Sequence, residues 1–210
     1  IPGRVAQINH PDFLRHTIGR IPGGVVFVTG SNGKSTTTAM LVSVLRAHGL
    51  GVFTNPAGSN LPQGLASAVL ADAGPSGRID ADIAVLEVDE AYGPMISQAL
   101  PPDSLLVTNL QLDQLNRFAE PERVWQMMRT VAQRTGTRLI VNDREPALLS
   151  LGRGLTGSLR TATVSVADSV LEQFPQGLVA ATLGDERGKA RPDQEPMVVL
   201  RNSDGVRATV

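Results

Sequence analysis

The sequence predicts an α/β fold in which a mostly parallel sheet is flanked by helices. Short apolar runs rich in β-branched residues alternate, over the first 150 residues, with longer segments of helical periodicity. Each apolar run is nearly continuous, as in strands that are covered on both faces. Short links between such runs are typical of parallel strands joined by right-handed crossovers.

The first unit is a strand, a loop and a helix. Residues 23–30, GGVVFVTG, are the apolar run, and Gly49 is the expected end of the helix because glycine suits the left-handed cap position. Four apolar residues of this helix form one predicted buried stripe: Met40, Leu41, Val44 and Leu45.

Four further strands and two further helices are predicted before residue 150. The strands are GVFTN (51–55), ADIAVLEVDE (81–90), DSLLVTNL (103–110) and TRLIVND (137–143). The helices are PQGLASAVLAD (62–72), opened by its proline, and the amphipathic EPERVWQMMRTVAQRT (120–135). Residues 151–210 are rich in Gly, Arg and Pro between short strand-like runs, which predicts a small β-rich peripheral segment of the same domain.

Composition narrows the classes of partner. The formal net charge is −1 and aromatic residues make up 3%, so neither a basic patch nor a base-stacking surface for nucleic acid is expected. No apolar run approaches the roughly 20 residues of a transmembrane helix. The chain has 0 cysteines, so disulfides and thiolate metal sites are excluded.

The stretch VTGSNGKSTTTAM (28–40) predicts a phosphate-binding loop between a strand and a helix. Backbone N–H groups at a helix N-terminus bind anions, and glycine allows the main chain to come close to a phosphate. A lysine here would reach the β- and γ-phosphates, and the next hydroxyl would bind Mg²⁺. The bland alternative is a tight turn. The predicted nucleotide-binding residues of the loop are Gly30, Ser31, Asn32, Gly33, Lys34, Ser35 and Thr36.

Polar side chains follow the other predicted strands, at the edge of an open sheet where ligands bind. Glu87, Asp89 and Glu90 end one strand; Glu87 and Asp89 share a face, and at least one of these two is a candidate magnesium ligand. Acids at a strand end also occur as ordinary caps and turns. Asn109 follows the next strand, and Asn142 and Asp143 follow another, where an amide is able to read adenine; all three are predicted nucleotide contacts.

The loop resembles the TGTNGKTTT loop of the Mur ligases, the ATP-dependent amide-forming enzymes of peptidoglycan synthesis. GSNLPQG, LEVDEA and TNLQLDQLNRF are similar, more closely, to the GANL, EVDEA and TNLxxDQLDR segments of the MurT group within that family. The similarity covers about residues 1 to 150, which are therefore expected to be a nucleotide-binding Mur ligase central domain. It makes Lys34 and Glu87 the expected catalytic residues, with Mg²⁺ on Ser35 and Glu87.

The resemblance also implies a reaction. In it, ATP phosphorylates the α-carboxylate of D-glutamate in the lipid II stem peptide, and ammonia then displaces the phosphate to give D-isoglutamine. The ammonia comes from a GatD-type glutamine amidotransferase subunit, so a heterodimer is expected, acting in the cytoplasm at the inner face of the membrane. Asn60, Asp113 and Gln114 are the candidate substrate-binding residues.

Three departures qualify the resemblance. Asn116 stands where the MurT pattern has Asp, and Gln114 stands where other Mur ligases have His, which favours MurT. Most MurT proteins carry a four-cysteine zinc ribbon, but this chain has no cysteine; no zinc is expected, and residues 151–210 are expected to replace the ribbon. The C-terminal ligase domain of the family is absent from these 210 residues, so the fragment is expected to bind nucleotide but to ligate poorly.

Two alternatives stay open. One is another Mur-type ligase, of the folylpolyglutamate, poly-γ-glutamate or cyanophycin kind. The other is a nucleotide-binding scaffold without turnover.

Overall fold

One parallel sheet organises the chain. The computed structural model describes residues 3, 5, 10, 12–56, 58–74, 77–110, 121–143, 145–155, 159–166, 198–200, 202–203 and 208–209. Its strands are β1 (Val25–Thr29), β2 (Val52–Phe53), β3 (Ile83–Glu87), β4 (Ser104–Val107), β5 (Arg138–Asn142), β6 (Arg160–Val166) and β7 (Val198–Leu200). They lie in the order β2-β3-β1-β4-β5-β6-β7, and every neighbouring pair is parallel. The predicted fold class is confirmed.

Six α-helices lie among the described residues. They are α1 (Phe13–Thr17, continued by a 3₁₀ turn over Ile18–Arg20), α2 (Lys34–Ala47), α3 (Pro62–Asp72), α4 (Gly93–Ala99), α5 (Pro121–Gln133) and α6 (Pro146–Leu151). Proline occupies the first turn of α3, α4 and α6, where its missing N–H has no helical partner in any case. The bounds of α3 match the predicted helix over 62–72.

The helices divide unequally between the two faces of the sheet. The connections that step toward β7 place α3, α4, α5 and α6 on one face, where Leu65, Ile96, Met128 and Leu148 join the main core. Only the connection from β1 to β2 steps the other way, and it places α2 on the opposite face over Val28 and Val85. A uniform right-handed crossover requires this division.

The buried side of α2 differs from the predicted stripe. Thr38 and Val42 are buried, whereas Met40 is 65% exposed and Val44 is 54% exposed. Leu41 and Leu45 pack partly against the sheet. The prediction was therefore wrong for Met40 and Val44, because a helix that covers only one small patch of sheet buries a narrow arc and leaves apolar residues beside it in contact with solvent.

The chain after residue 150 contributes to the main sheet. β6 pairs with β5 over five residue pairs from Arg138↔Arg160 to Asn142↔Val164, and β7 pairs with β6. These two strands are therefore part of the parallel sheet and not of a peripheral unit, which corrects the expectation for this part. β8 (Asn202–Ser203) and β9 (Ala208–Thr209) form a separate antiparallel pair. The strand-like run 177–183 lies outside the described residues.

Candidate nucleotide-binding site

The loop between β1 and α2 lies at the carboxyl edge of the sheet and depends on two glycines. Gly30 has φ +133°, and a Cβ there would lie 2.2 Å from Oγ1 of Thr108. Gly33 is the N-cap of α2 with φ +79°, and no side chain caps the helix. The first helical N–H that bonds back to the loop is that of Thr37, to the Gly33 carbonyl at 2.9 Å. No described residue accepts a hydrogen bond from the N–H groups of residues 33–36, so these groups are open to a ligand or solvent.

The earlier half of the loop is tied to the end of β4. The Ser31 N–H donates to the Asn109 carbonyl at 3.0 Å, and the Asn32 N–H donates to Oδ1 of Asn109 at 2.9 Å. Nδ2 of Asn109 and the Thr108 hydroxyl lie 3.1 Å and 2.7 Å from the Asn32 carbonyl. The structure thus gives the amides of Ser31 and Asn32 protein partners, and it makes the Asn109 side chain a clamp on the loop.

Lys34 begins α2 and folds back over the loop. Its Nζ donates to the carbonyls of Gly30 at 2.6 Å and Ser31 at 3.1 Å. It also lies 3.2 Å from Oε2 of Glu90, which follows β3. The side chain of Lys34 is 13% exposed and that of Glu90 is 0% exposed, so the ammonium closes the space between the loop and the β3 end.

Glu87 ends β3 next to β1 and is held by two asparagines of the segment between β2 and α3. Its backbone N–H donates to Oδ1 of Asn55 at 2.9 Å, and its carbonyl accepts from Nδ2 of Asn55 at 3.0 Å. Nδ2 of Asn60 lies 3.5 Å from Oε1 of Glu87. The predicted magnesium ligand and the predicted substrate residue therefore lie together. Oδ1 of Asp89 accepts a hydrogen bond from the Ala91 N–H in the turn that follows β3.

A cavity of about 370 Å³ adjoins the loop on the α2 side of the sheet. The loop and α2 contribute Asn32, Gly33 and Thr37 to it, and β4, β5 and β6 form the floor. Its floor and rim residues are Leu106, Val107, Thr108, Asn109, Ile140, Val141, Asn142, Val164 and Ser165. Apolar floor residues with a few amides and hydroxyls are typical of a small-molecule site.

Comparison with known proteins identifies the family. The model of the Mur ligase middle domain matches residues 28–168, which include the loop, the β3 end, the β4 end and the cavity. This chain is a Mur ligase middle domain.

Two relatives and one solved structure illustrate how similar this Mur ligase middle domain is to known proteins. The chain is 33% identical to lipid II isoglutaminyl synthase (glutamine-hydrolyzing) subunit MurT of Streptococcus pneumoniae, over 70% of this chain and 32% of that protein. It is 30% identical to UDP-N-acetylmuramate–L-alanine ligase of Mycolicibacterium vanbaalenii, over 80% of this chain and 34% of that protein. The MurF ligase of Thermotoga maritima, solved with ADP, superposes with a TM-score of 0.59 at 24% identity, over 71% of this chain and 34% of that chain. The chain thus spans about a third of the length of the relatives it matches.

The remaining predicted site residues divide into three groups. Ser35 and Thr36 are exposed in the first turn of α2, beside the free amides. Asn142 lines the cavity, whereas Asp143 is buried and donates its N–H to the Val164 carbonyl at 3.1 Å. Asp113 and Gln114 lie outside the described residues.

Two features of the Mur ligase middle domain escaped the sequence prediction. Ser165 lines the cavity because β6 belongs to the main sheet, which the residues alone did not indicate. Glu145 is buried, and its Oε2 accepts from the Leu110 N–H at 3.0 Å, which fixes the chain where it leaves β4. The hydrophilic sequence VNDREP gave no sign that this glutamate is buried.

The described residues contain neither a clustered set of metal ligands nor a membrane-spanning helix. No group of three or more His, Asp or Glu side chains there is arranged to hold a metal ion. No helix in the same residues has the length and apolar character needed to cross a membrane.

Proposed function

We propose that this chain is the nucleotide-binding core of an ATP-dependent amide-forming ligase of the lipid II isoglutaminyl synthase type. The observation that carries the proposal is the uncapped first turn of α2, with the Lys34 ammonium beside it and the Glu87 carboxylate at the neighbouring strand end. A helix N-terminus and an ammonium suit phosphate, and a carboxylate suits a divalent cation. A phosphate site and a cation site are both needed when the negatively charged triphosphate approaches a carboxylate substrate.

The nucleotide would span two parts of the site. Its β- and γ-phosphates would bind the amides of residues 33–36 and Lys34, and its base would enter the cavity beside Asn142. The donor set fits Mg²⁺, because the Ser35 hydroxyl and the Glu87 carboxylate are oxygen ligands. Few protein ligands are typical of magnesium, which takes its other ligands from phosphates and water. Bound there, the cation would neutralise phosphate charge.

The reaction follows from a carboxylate placed in line with the γ-phosphate. A carboxylate oxygen of D-glutamate in the stem peptide forms a bond to the γ-phosphorus while the bond to the ADP oxygen breaks. Ammonia then attacks the carbonyl carbon of this acyl phosphate, phosphate leaves, and one proton is lost to give the amide. Lys34 stabilises the charge that develops on the transferred group, which is the main catalytic need in phosphoryl transfer.

The substrate and partner are proposed from similarity to the MurT subunit of S. pneumoniae, at 33% identity over 70% of this chain. Lipid II would be the acceptor, at the cytoplasmic face of the membrane, and a GatD-type glutaminase subunit would supply ammonia. Asn60 lies against Glu87, which supports its proposed role in binding the acceptor.

Nucleotide binding is the first test. We expect calorimetric titration of the chain with ATP and Mg²⁺ to show one site, and Lys34→Met to weaken it about 10- to 100-fold, the contribution of a hydrogen bond to a charged group. Glu122→Gln is the matched control, because Glu122 is exposed on α5 and bonds only Gln126 among the described residues. An unmodified chain that binds no nucleotide would refute the proposal.

Product formation is the second test. The complete protein, with its glutaminase partner, glutamine, ATP and lipid II, should give a product that is 1 Da lighter because –OH is replaced by –NH₂. Lys34→Met and Glu87→Gln should abolish this product while Glu122→Gln keeps it. Amidation at the normal rate in both site variants would contradict the assigned roles.

A second candidate is a ligase that adds an amino acid, because the chain is also 30% identical to an L-alanine-adding ligase over 80% of its length. The same complete protein offered UDP-N-acetylmuramate and L-alanine distinguishes the two by product mass. ATP binding without turnover in either assay would favour a nucleotide-binding scaffold.

A further inference from the structure

The carboxylate of Glu90 is the unusual group of this site. Its side chain is completely buried, and Nζ of Lys34 lies 3.2 Å from Oε2. Neither carboxylate oxygen accepts a directed hydrogen bond from a described residue. Buried carboxylates ordinarily have several hydrogen-bond donors, so Glu90 depends on Lys34 for the stability of its charge.

Lys34 is equally committed to the protein. An ammonium has three N–H donors, and Lys34 donates to the Gly30 carbonyl and the Ser31 carbonyl, while Glu90 lies beside it as a counter-ion. All three partners lie on the protein, and two of them belong to the loop that Lys34 would complete for phosphate. A phosphate that draws this ammonium toward itself therefore competes with these partners.

Glu90 is the partner with the largest effect on that exchange. A carbonyl that loses Lys34 loses one neutral acceptor contact, whereas a buried carboxylate that loses its cation is left with an unpaired charge. The free-energy cost of moving Lys34 to phosphate is therefore set mainly by Glu90.

We propose that Glu90 is a positioning residue that holds Lys34 folded back over the loop and thereby sets the affinity of the site for phosphate. Nucleotide binds in competition with this carboxylate. The proposal rests on the proposed function, since it takes Lys34 as the phosphate ligand. It differs from a direct contact, because Glu90 acts on the nucleotide through Lys34.

The proposal predicts that removing the charge of Glu90 strengthens nucleotide binding, a direction that a merely structural role of Glu90 would not give. Glu90→Gln keeps the shape of the side chain and removes its charge, so Lys34 becomes easier to move. We expect the variant to bind ADP and ATP, each with Mg²⁺, about tenfold more tightly than the unmodified chain, as measured by calorimetry. Glu122→Gln, an exposed Glu→Gln change, should leave both affinities unchanged.

A double-mutant cycle tests whether the effect passes through Lys34. Lys34→Met keeps the aliphatic stem and removes the ammonium. In that background Glu90→Gln should leave nucleotide affinity unchanged within twofold, because no ammonium remains for Glu90 to hold. Melting curves without nucleotide complete the cycle: Lys34→Met should melt below the unmodified chain, and Lys34→Met/Glu90→Gln should recover most of the loss.

Each outcome decides the matter. Tighter binding in Glu90→Gln that disappears in the Lys34→Met background supports the proposal. Unchanged or weaker binding in Glu90→Gln overturns it, and so does an equal gain in both backgrounds, since the carboxylate would then repel phosphate directly. Absence of nucleotide binding by the unmodified chain overturns the proposed function and this proposal together, whereas binding that Glu90→Gln does not tighten overturns this proposal alone.

Discussion

Replacing Asn109 with alanine separates a clamp on the loop from a contact to the nucleotide. The change removes the bond from the Asn32 N–H to Oδ1 at 2.9 Å and the bond from Nδ2 to the Asn32 carbonyl at 3.1 Å. The backbone carbonyl of residue 109 still accepts from the Ser31 N–H, and the Thr108 hydroxyl still reaches the Asn32 carbonyl. Two of the four hydrogen bonds described above between the loop and the β4 end therefore remain.

The magnitudes follow from those bonds. Both are solvent-exposed, so water replaces part of each, and we expect a combined loss of about 1 kcal/mol of unfolding free energy. For a chain of this size that lowers the melting temperature by about 2–4 °C. Asn32 also loses two of its hydrogen bonds to the β4 end, so the loop is less well ordered before the ligand binds, and we expect phosphate binding to weaken about tenfold.

The assay compares two ligands by calorimetry, ATP and inorganic triphosphate, each with Mg²⁺. A clamp acts on the phosphate site, so Asn109→Ala should weaken both ligands by the same factor. Loss of ATP affinity with unchanged triphosphate affinity would refute the clamp and favour the nucleotide contact that the sequence predicted for this residue. Unchanged affinity for both ligands would show that the loop is ordered without Asn109.

Three further predictions concern the loop, the cavity and the chain beyond β4. Gly30→Ala should be far more destabilising than Gly33→Ala, because the new Cβ at residue 30 would lie 2.2 Å from Oγ1 of Thr108. At residue 33 the new Cβ would lie 4.0 Å from its nearest neighbour, and the positive φ alone costs about 1–2 kcal/mol. Equal melting temperatures for the two variants would contradict this prediction. Ile140→Trp should weaken ATP but spare inorganic triphosphate in the same titration, because Ile140 lines the cavity; equal losses would place the base elsewhere. Glu145→Ala should cost about 1–3 kcal/mol of unfolding free energy, measured by urea titration, because it leaves the buried Leu110 N–H unpaired, and Glu145→Gln should cost less; equal losses would exclude this bond as the cause.

The strands and the loop were predictable because local signals determine them. Continuous apolar runs such as IAVLE are typical of strands covered on both faces, and β3 occupies that run. Pro62 marked the start of α3 correctly, since proline suits a first helical turn. Periodicity failed on α2, because the arc that a helix buries depends on how much sheet lies beneath it, which depends on the order of the strands.

The location of the candidate site residues was predictable from the sequence, and their contacts were less so. Glu87, Lys34 and Asn142 do lie at the same edge of the sheet, as expected for strand ends. Whether an asparagine there faces a ligand or the backbone of the next loop is a matter of one or two ångströms. The pairing of Asn109 with Asn32, across 77 positions of sequence, has no counterpart in the sequence pattern.

The contacts of Glu90 were likewise not predictable from the sequence, and these contacts matter more for the proposed function. A carboxylate in the run EVDEA reads as an ordinary turn residue, and only burial against Lys34 distinguishes it from Asp89. The sequence showed two acids after the strand, and the structure divides their functions between a turn and a charge pair.

The two halves of the loop have different mechanical roles, and β4 connects them. Residues 31 and 32 are bonded to the β4 end, and residues 33–36 follow directly, so the position of the first turn of α2 is fixed relative to Thr108 and Asn109. Thr108 and Asn109 also line the cavity. A shift of the β4 end would therefore move the phosphate site and the base site together. In the proposed binding mode, a nucleotide that binds both is stabilised only when their spacing matches its own length, so we expect the β4 end to favour a nucleotide over a free polyphosphate.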